Sequence, residues 1–262
     1  MSTALVVGGT GVAGREVAAE LVKRGHHVRV LTRHGGTPYT DIEHVQGDIS
    51  SGEGLTEALR GVDLLVDTCD AKSAKQRSIF AEGAKNLLEA AAAEGVSRAV
   101  VLSIINVDKS TFPYYAAKAK QEQLYNRSPI ETVVMRATQF HDFIPMIVSP
   151  TAKIGMLPAL KGVQFQTIDT RDVAYAIANT LEDGDGTDSS EEPTPVTIGG
   201  PAVASSKELV RTWKSATGSK AVVVPVPMPG ALGKFFRQGL NLIPENTYGT
   251  ITFEEWARES QR

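Results

Sequence analysis

The 262-residue sequence predicts an α/β fold, a doubly wound parallel sheet with helices on both faces and a small C-terminal lobe. Three observations carry the prediction. Apolar runs of strand length alternate with segments of helical period through the first two thirds of the chain. A glycine-rich turn joins the first strand directly to the first helix. The run Ala99-Val100-Val101-Leu102-Ser103 is almost continuously apolar, as a central strand covered on both faces requires.

The first strand, Ala4-Leu5-Val6-Val7, runs straight into Gly8-Gly9-Thr10-Gly11-Val12-Ala13-Gly14. Gly8 permits a tight turn, Gly11 lets a pyrophosphate approach bare backbone, and Gly14 lets the helix lie close against the sheet. The N–H groups at the helix start then bind the phosphates. The helical spacing continues through Leu21-Val22, Gly25 stops it, and His27-Val28-Arg29-Val30-Leu31 reads as the second strand. This reads as a Rossmann-like βαβ unit for a dinucleotide, the alternative being a bare structural turn after a strand.

Ile42 to Gln46 reads as a short strand ending in a turn at Gly47-Asp48, followed by a helix over Gly54 to Leu59 and a strand over Val62 to Asp67. Ser73 to Ala93 reads as one long helix, on the spacing of Ile79, Ala84, Leu87, Leu88 and Ala91. After the strand at Ala99 to Ser103 come a helix over Tyr115 to Tyr125, a strand over Glu131 to Arg136 and a helical stretch over Phe140 to Val148. Short strands are expected at Ala152 to Met156 and Val163 to Ile168, and a helix at Asp172 to Thr180.

Leu181 to Pro195, rich in Glu, Asp, Gly, Thr, Ser and Pro, reads as an exposed acidic loop. Beyond it, Ser205 to Thr217 reads as a helix capped by Ser205 or Ser206 and stopped by Gly218. Val222 to Pro227 is extended but too rich in proline for a central strand. Leu232, Phe235, Phe236 and Leu240 supply packing for a small lobe. The division expected is a dinucleotide-binding domain over 1–180 and a substrate or partner lobe over 181–262, within one structural unit.

A net charge of -3 and the absence of a basic stretch interleaved with aromatics exclude nucleic acid as an expected partner. Cys69 is the sole cysteine, so no intrachain disulfide forms and a reducing compartment is the simpler expectation. Met1-Ser2-Thr3 leads directly into the first strand without a signal-type segment, and no run suits a membrane span. The expectation is a cytoplasmic protein, monomer or homodimer, with no membrane partner and a small-molecule acceptor.

The choice of dinucleotide rests on the end of the second strand. NAD-preferring sites place Asp or Glu there for the ribose hydroxyls, whereas this chain has Thr32-Arg33-His34-Gly35-Gly36. Arg33 can pair with a 2′-phosphate and stack on adenine, so NADP(H) is preferred over NAD(H). The alternative for Arg33 is a solvated surface arginine.

Tyr114 and Lys118 stand four residues apart, on one helix face if the helix begins by Tyr114. An ammonium near a phenol lowers its pKa from about 10 and makes it a usable proton donor or acceptor during hydride transfer. Ser103, ending the preceding strand, can hold the same substrate oxygen. Tyr115 and Lys120 compete for these roles, and such a pair also occurs by chance in amphipathic helices. Phe140, Phe143, Ile144 and Met146 suit either an apolar acceptor or packing. Asp67, Cys69 and Asp70 suit a metal or reactive thiol less well than a structural role. The histidines His26, His27, His34, His44 and His141 show no ligand spacing, so no metal is expected.

The chain resembles the atypical short-chain dehydrogenase/reductases, within them the NmrA-like, NAD(P)H-binding subgroup. The resemblance rests on the Gly8 to Gly14 loop, Arg33, Gly47-Asp48, Tyr114-Tyr115-Ala116-Ala117-Lys118-Ala119-Lys120-Gln121-Glu122 and Arg136-Ala137-Thr138-Gln139-Phe140. It implies that Asp48 contacts the adenine, that Lys118 contacts the nicotinamide ribose, and that Thr138 to Phe140 line the nicotinamide end. Asp169 to Asp172 matches the segment opening a late helix. Residues expected around the cofactor are Gly8, Gly9, Thr10, Gly11, Val12, Ala13, Gly14, Arg33, Asp48, Ile49, Thr68, Cys69, Ser103, Lys118, Thr138 and Phe140, with Tyr114, Lys118 and Ser103 catalytic. Thr68-Cys69-Asp70, and Ser103 followed by Ile104-Ile105, depart from the strict pattern.

Such a chain is expected to be an NADPH-dependent oxidoreductase acting on a small carbonyl-, quinone- or imine-like acceptor. The family also implies an alternative, a non-catalytic NADP(H)-binding, redox-sensing regulator of a protein partner. A nucleotide-sugar epimerase or dehydratase is a third reading, for which the region after Leu181 leaves little material.

Overall fold

The computed structural model describes residues 1–33, 41–71, 73–183 and 194–260. In chain order the strands are β1 (Thr3–Val7), β2 (His27–Thr32), β3 (Ile42–Gln46), β4 (Leu64–Asp67), β5 (Arg98–Ile104), β6 (Glu131–Ala137), β7 (Met156–Leu160), β8 (Gln164–Phe165), β9 (Val196–Ile198), β10 (Ala204–Ser205) and β11 (Val222–Val226). The α-helices are α1 (Val12–Lys23), α2 (Leu55–Leu59), α3 (Glu82–Ala93), α4 (Pro113–Tyr125), α5 (Phe143–Ala152), α6 (Thr170–Asp183), α7 (Ser206–Ala216), α8 (Gly230–Arg237) and α9 (Phe253–Glu259).

The main sheet has the order β3-β2-β1-β4-β5-β6-β9, a Rossmann-like α/β fold. β1 pairs in parallel with both β2 and β4. The strand order therefore reverses at β1, and the carboxyl ends of β1 and β4 flank the switch point where such sheets place their ligand. Leu5, Val6 and Val7 are buried because β1 is covered on both faces, and each fully buried Leu or Val contributes about 2 kcal/mol.

The chain folds as two compact units. The first comprises Met1–Ser103, Pro113–Arg136 and Val173–Val196. Leu5, Leu31, Leu59, Leu65, Leu87 and Val101 lie at its core. The second comprises Ile104–Phe112, Ala137–Asp172 and Thr197–Arg262, so the segments that follow β5 and β6 in the chain belong to it. Its core includes an aromatic cluster in which Phe165 lies 5.4 Å from Phe143 and 5.2 Å from Phe236.

Two expected elements differ. The long helix expected over Ser73 to Ala93 is a 3-10 helix at Ala74–Phe80 followed by α3. Lys75, Gln76, Arg77 and Ser78 provide no apolar stripe, so the helix-period pattern starts only with Ile79 and Phe80. The strand expected at Ala152 to Met156 instead runs over Met156–Leu160, because α5 continues through Pro150 to Ala152 and a Gly155 turn of positive φ follows. Val222–Val226 forms a two-stranded parallel sheet with β7, in keeping with its proline content. Ser205 is the cap of α7, bonding reciprocally with Glu208. The acidic stretch and His34 to Gly36 lie largely or wholly outside the described residues. No helix among the described residues is long and apolar enough to cross a membrane.

Candidate active site

The turn after β1 is built as its glycines require. Gly8 has φ +77°, and Gly11 N donates to Gly8 O at 2.8 Å, closing the turn. A Cβ on Gly14 would collide with the Gly8 carbonyl oxygen and stand 2.7 Å from both the Gly9 Cα and Thr68 Oγ1. Thr68 in turn donates its hydroxyl to Val7 O at 2.8 Å, tying the end of β4 to the end of β1. Gly11 caps α1 with no side-chain hydrogen bond, so the first N–H groups of that helix stay open to an anion. This bare cradle fits a dinucleotide pyrophosphate. Thr10 and Val12 are exposed on it, while Gly9 and Ala13 are buried.

A cavity of about 350 Å³ opens beside the turn, lined by Gly9, Thr10, Arg15, Ala18, Val30, Ile42 and His44. Arg33 lies exposed at the end of β2, and its guanidinium has no hydrogen-bond or ion-pair partner among the described residues. Asp48 is half-buried, and one carboxylate oxygen accepts from Ser50 N at 2.8 Å. Ile49 is buried, its carbonyl held by Asn86 Nδ2 at 2.9 Å.

α4 begins at Pro113, so Tyr114 and Lys118 share a helix face one turn apart. Tyr115 is buried and Lys120 exposed, which sets those two competing residues on different sides of α4. Glu122 and Arg136 hold α4 to the end of β6 through two parallel bonds, of 3.0 Å and 2.6 Å.

Lys118 is 4% exposed. Its ammonium donates to Leu102 O at 2.7 Å and to Gln121 Oε1 at 2.9 Å. Gln121 Nε2 donates to Asp67 Oδ2 at 2.8 Å, and that buried carboxylate also accepts from Tyr125 OH at 2.9 Å and Cys69 N at 2.9 Å. The orientation of the Gln121 amide is dictated by its partners, since an ammonium only donates and a carboxylate only accepts. Gln121 thus bridges a buried cation and a buried anion. Burial pulls the Lys118 ammonium below the ordinary lysine value, and Asp67 opposes that pull. An ammonium has three donors, so one remains beyond these two acceptors.

Tyr114 differs from expectation. Burial, and then the Asp70 carboxylate, push its phenol well above the ordinary value instead of below it. The reason is geometric: the hydroxyl donates to Asp70 Oδ1 at 2.6 Å, while the Lys118 ammonium is directed to Leu102 and Gln121. Phe80 packs edge-on against Tyr114, with ring centroids 5.4 Å apart, and stands 4.9 Å below the Lys118 ammonium.

Ser103 is buried, and its Oγ has no hydrogen-bond partner among the described residues. An orphaned buried hydroxyl fits a ligand oxygen. Cys69 is also buried, and burial and then Asp67 raise its thiol well above the ordinary value, which removes a reactive thiolate from consideration. Among the described residues no group of His, Cys, Asp and Glu suits a metal ion.

Thr138 and Phe140 belong to the second unit. There Thr138 Oγ1 accepts from Gly200 N at 3.2 Å, and Phe140 bridges to Ile168 through the main chain. Asp169 accepts from Arg171 N at 2.8 Å at the start of α6.

Spacing does not by itself single out Gln121 and, through it, Asp67 as supports of Lys118, nor Arg15 and His44 as cavity walls. Gln121 carried a signal, three residues after Lys118 on the same face. Nothing local in the sequence connects Asp70 to a tyrosine 44 residues away.

Residues 8–184 match the family model of NAD(P)H-binding proteins, and the chain belongs to that family. Among curated proteins it is similar to the photosystem II assembly factor Ycf39 of Cyanophora paradoxa, 27% identical over 144 residues, covering 52% of this chain and 45% of that relative. The matched region is thus less than half of that protein. It is also similar to a (4-alkanoyl-5-oxo-2,5-dihydrofuran-3-yl)methyl phosphate reductase of Streptomyces griseus, 29% identical over 211 residues, 78% of this chain and 70% of the relative. Among solved structures, the NADPH complex of an Escherichia coli quinone oxidoreductase superposes with a TM-score of 0.78 at 17% identity, over 99% of this chain and 100% of that one. That last likeness is one of fold.

Proposed function

We propose that this NAD(P)H-binding family member is an oxidoreductase that passes a hydride from NADPH to a small carbonyl-, quinone- or imine-like acceptor. The observation that carries the reading is the buried Lys118, held by Gln121 and by the β5 carbonyl of Leu102, the residue before Ser103, one helical turn from Tyr114.

The residues divide the work. The open N–H groups after Gly11 bind the pyrophosphate, and the absence of side chains at Gly8 and Gly14 lets the turn close beneath it. Arg33 pairs with the 2′-phosphate, which favours NADPH over NADH. Lys118 offers its remaining N–H to the nicotinamide ribose, Ser103 Oγ donates to the acceptor oxygen, and Tyr114 supplies the proton. NADPH, when bound, supplies the hydride.

A second reading is a non-catalytic, NADP(H)-binding regulator of a protein partner. It is favoured by the named role of the Ycf39 relative as an assembly factor. Titration with NADPH, NADP+, NADH and NAD+, followed by NADPH oxidation against quinones, aldehydes, ketones and imines, separates the two. Turnover that Tyr114→Phe abolishes with NADPH binding intact supports the enzyme. Tight binding without turnover on any acceptor supports the regulator.

A further inference from the structure

Tyr114 has one hydroxyl proton, and that proton is committed: it is donated to Asp70 Oδ1 at 2.6 Å. A hydroxyl that donates to a carboxylate cannot donate the same proton to a substrate oxygen. It can accept a proton from a substrate alcohol while passing its own to the carboxylate. Microscopic reversibility then makes the carboxylic acid the source that resupplies the phenol in the reductive direction.

The exposure of the two groups differs in a way that suits a conduit. Tyr114 is half-buried, with the Phe80 ring against it, whereas Asp70 is exposed on the loop after β4 and open to water. The groups facing the phenol include Asp70 from that loop, Tyr115 from α4 and the uncharged Phe80 from the 3-10 helix before α3. Burial, Asp70 and Tyr115 each hold the phenol protonated, so it serves as a relay and not as a standing phenolate.

We propose that Asp70 is the outer member of a two-residue proton relay that runs from solvent through Asp70 and Tyr114 to the substrate oxygen. The proposal rests on the oxidoreductase reading above. In reduction the acceptor carbon gains the hydride with its electron pair, and the acceptor O–H bond forms as the phenolic O–H of Tyr114 breaks. The carboxyl O–H of Asp70, formed when a solvent proton first loads the carboxylate, breaks as the phenolic O–H re-forms, and Asp70 returns to the carboxylate that accepts from the phenol. One hydride from NADPH and one proton from solvent are consumed, and both side chains end as they began. Asp70 touches Tyr114 and not the substrate, so its role is that of a positioning and relay residue.

The test uses Asp70→Asn, which keeps an oxygen to accept from the phenol but carries no exchangeable carboxyl proton. With NADPH and menadione as the probe, the hydride-transfer rate in a single turnover should fall about tenfold or more, while NADPH affinity changes less than about twofold. Adding Asp70→Asn to Tyr114→Phe should cost nothing further, because a residue that acts only through the phenol is silent once the hydroxyl is gone. Independently of turnover, the Tyr114 ring followed by carbon NMR should titrate at lower pH in Asp70→Asn, since a neighbouring negative charge has been removed.

Unchanged hydride transfer and an unchanged phenol titration in Asp70→Asn overturn the relay and leave the oxidoreductase reading standing. So does a fully additive loss in the double variant. A loss confined to NADPH binding makes Asp70 structural and also overturns the relay. Wild-type protein that binds NADPH but reduces no acceptor overturns both readings.

Discussion

The ammonium of Lys118 donates to the main-chain carbonyl of Leu102 at 2.7 Å, and Leu102 immediately precedes Ser103. The lysine expected to meet the cofactor and the serine expected to meet the substrate are therefore referenced to one strand, β5. Gln121 supplies the second anchor and carries the link onward to Asp67 at the end of β4.

Gln121→Leu removes the bridge and leaves a buried ammonium and a buried carboxylate each short of a partner. Urea denaturation should show a loss of about 1–3 kcal/mol, the cost of unsatisfied buried polar groups. NADPH binding followed by fluorescence should weaken in the same variant, and Gln121→Asn, whose side chain is too short to span both partners, should not restore it.

Gly14 and Gly11 should respond differently to alanine. Gly14→Ala places a Cβ into the Gly8 carbonyl oxygen, so both the melting temperature and dinucleotide binding should fall. A Cβ on Gly11 meets only Gly8 O at 3.1 Å, so Gly11→Ala should melt within a few degrees of the wild type, a shift of about 1 kcal/mol or less, and still lose dinucleotide affinity. Equal melting temperatures for the two variants would contradict this account of the turn.

Arg33→Ser should lower NADPH affinity about tenfold, the worth of one charge-assisted contact of about 1.4 kcal/mol, with little change for NADH. Calorimetric titration with both dinucleotides reads the ratio directly. If both affinities stay unchanged, Arg33 is a solvated surface arginine.

His141 in the second unit sits between Thr167 Oγ1 at 2.8 Å and Ile251 O at 3.0 Å, against the rings of Phe253 and Trp256. Burial lowers its pKa below the ordinary histidine value. The unfolded chain then binds the proton more readily than the folded one, so the stability due to neutral His141 is complete above a pH of about 6.5 and declines as pH falls towards the folded pKa. Denaturation at a series of pH values should show this decline in the wild type and a flatter profile in His141→Gln. A profile independent of residue 141 would refute the assignment.

The order of strands and helices through α4, the glycine turn and the cap of α7 could all be read from the chain, because each is written in residues close together: a strand-length apolar run, a helical period, a glycine at a turn, Ser205 three before Glu208. Family membership followed from the same local motifs. The elements misplaced were those whose local signal is weak. Lys75 to Ser78 carry no apolar period, and the chain from Ala152 to Leu160 offers helix and strand patterns that overlap.

Tertiary structure alone decided the chemistry around Tyr114 and Lys118. Spacing put the two on one helix face but not what their polar ends would meet. Asp70 captures the phenol across 44 residues, and Asp67 reaches Lys118 through Gln121 across 54 residues of chain from Asp67 to the amide. A hydrogen bond between distant residues is favourable only once the fold has placed both partners within reach. No periodicity encodes that event, so the sequence could name the phenol and the ammonium while the folded molecule determined which carboxylate each would face.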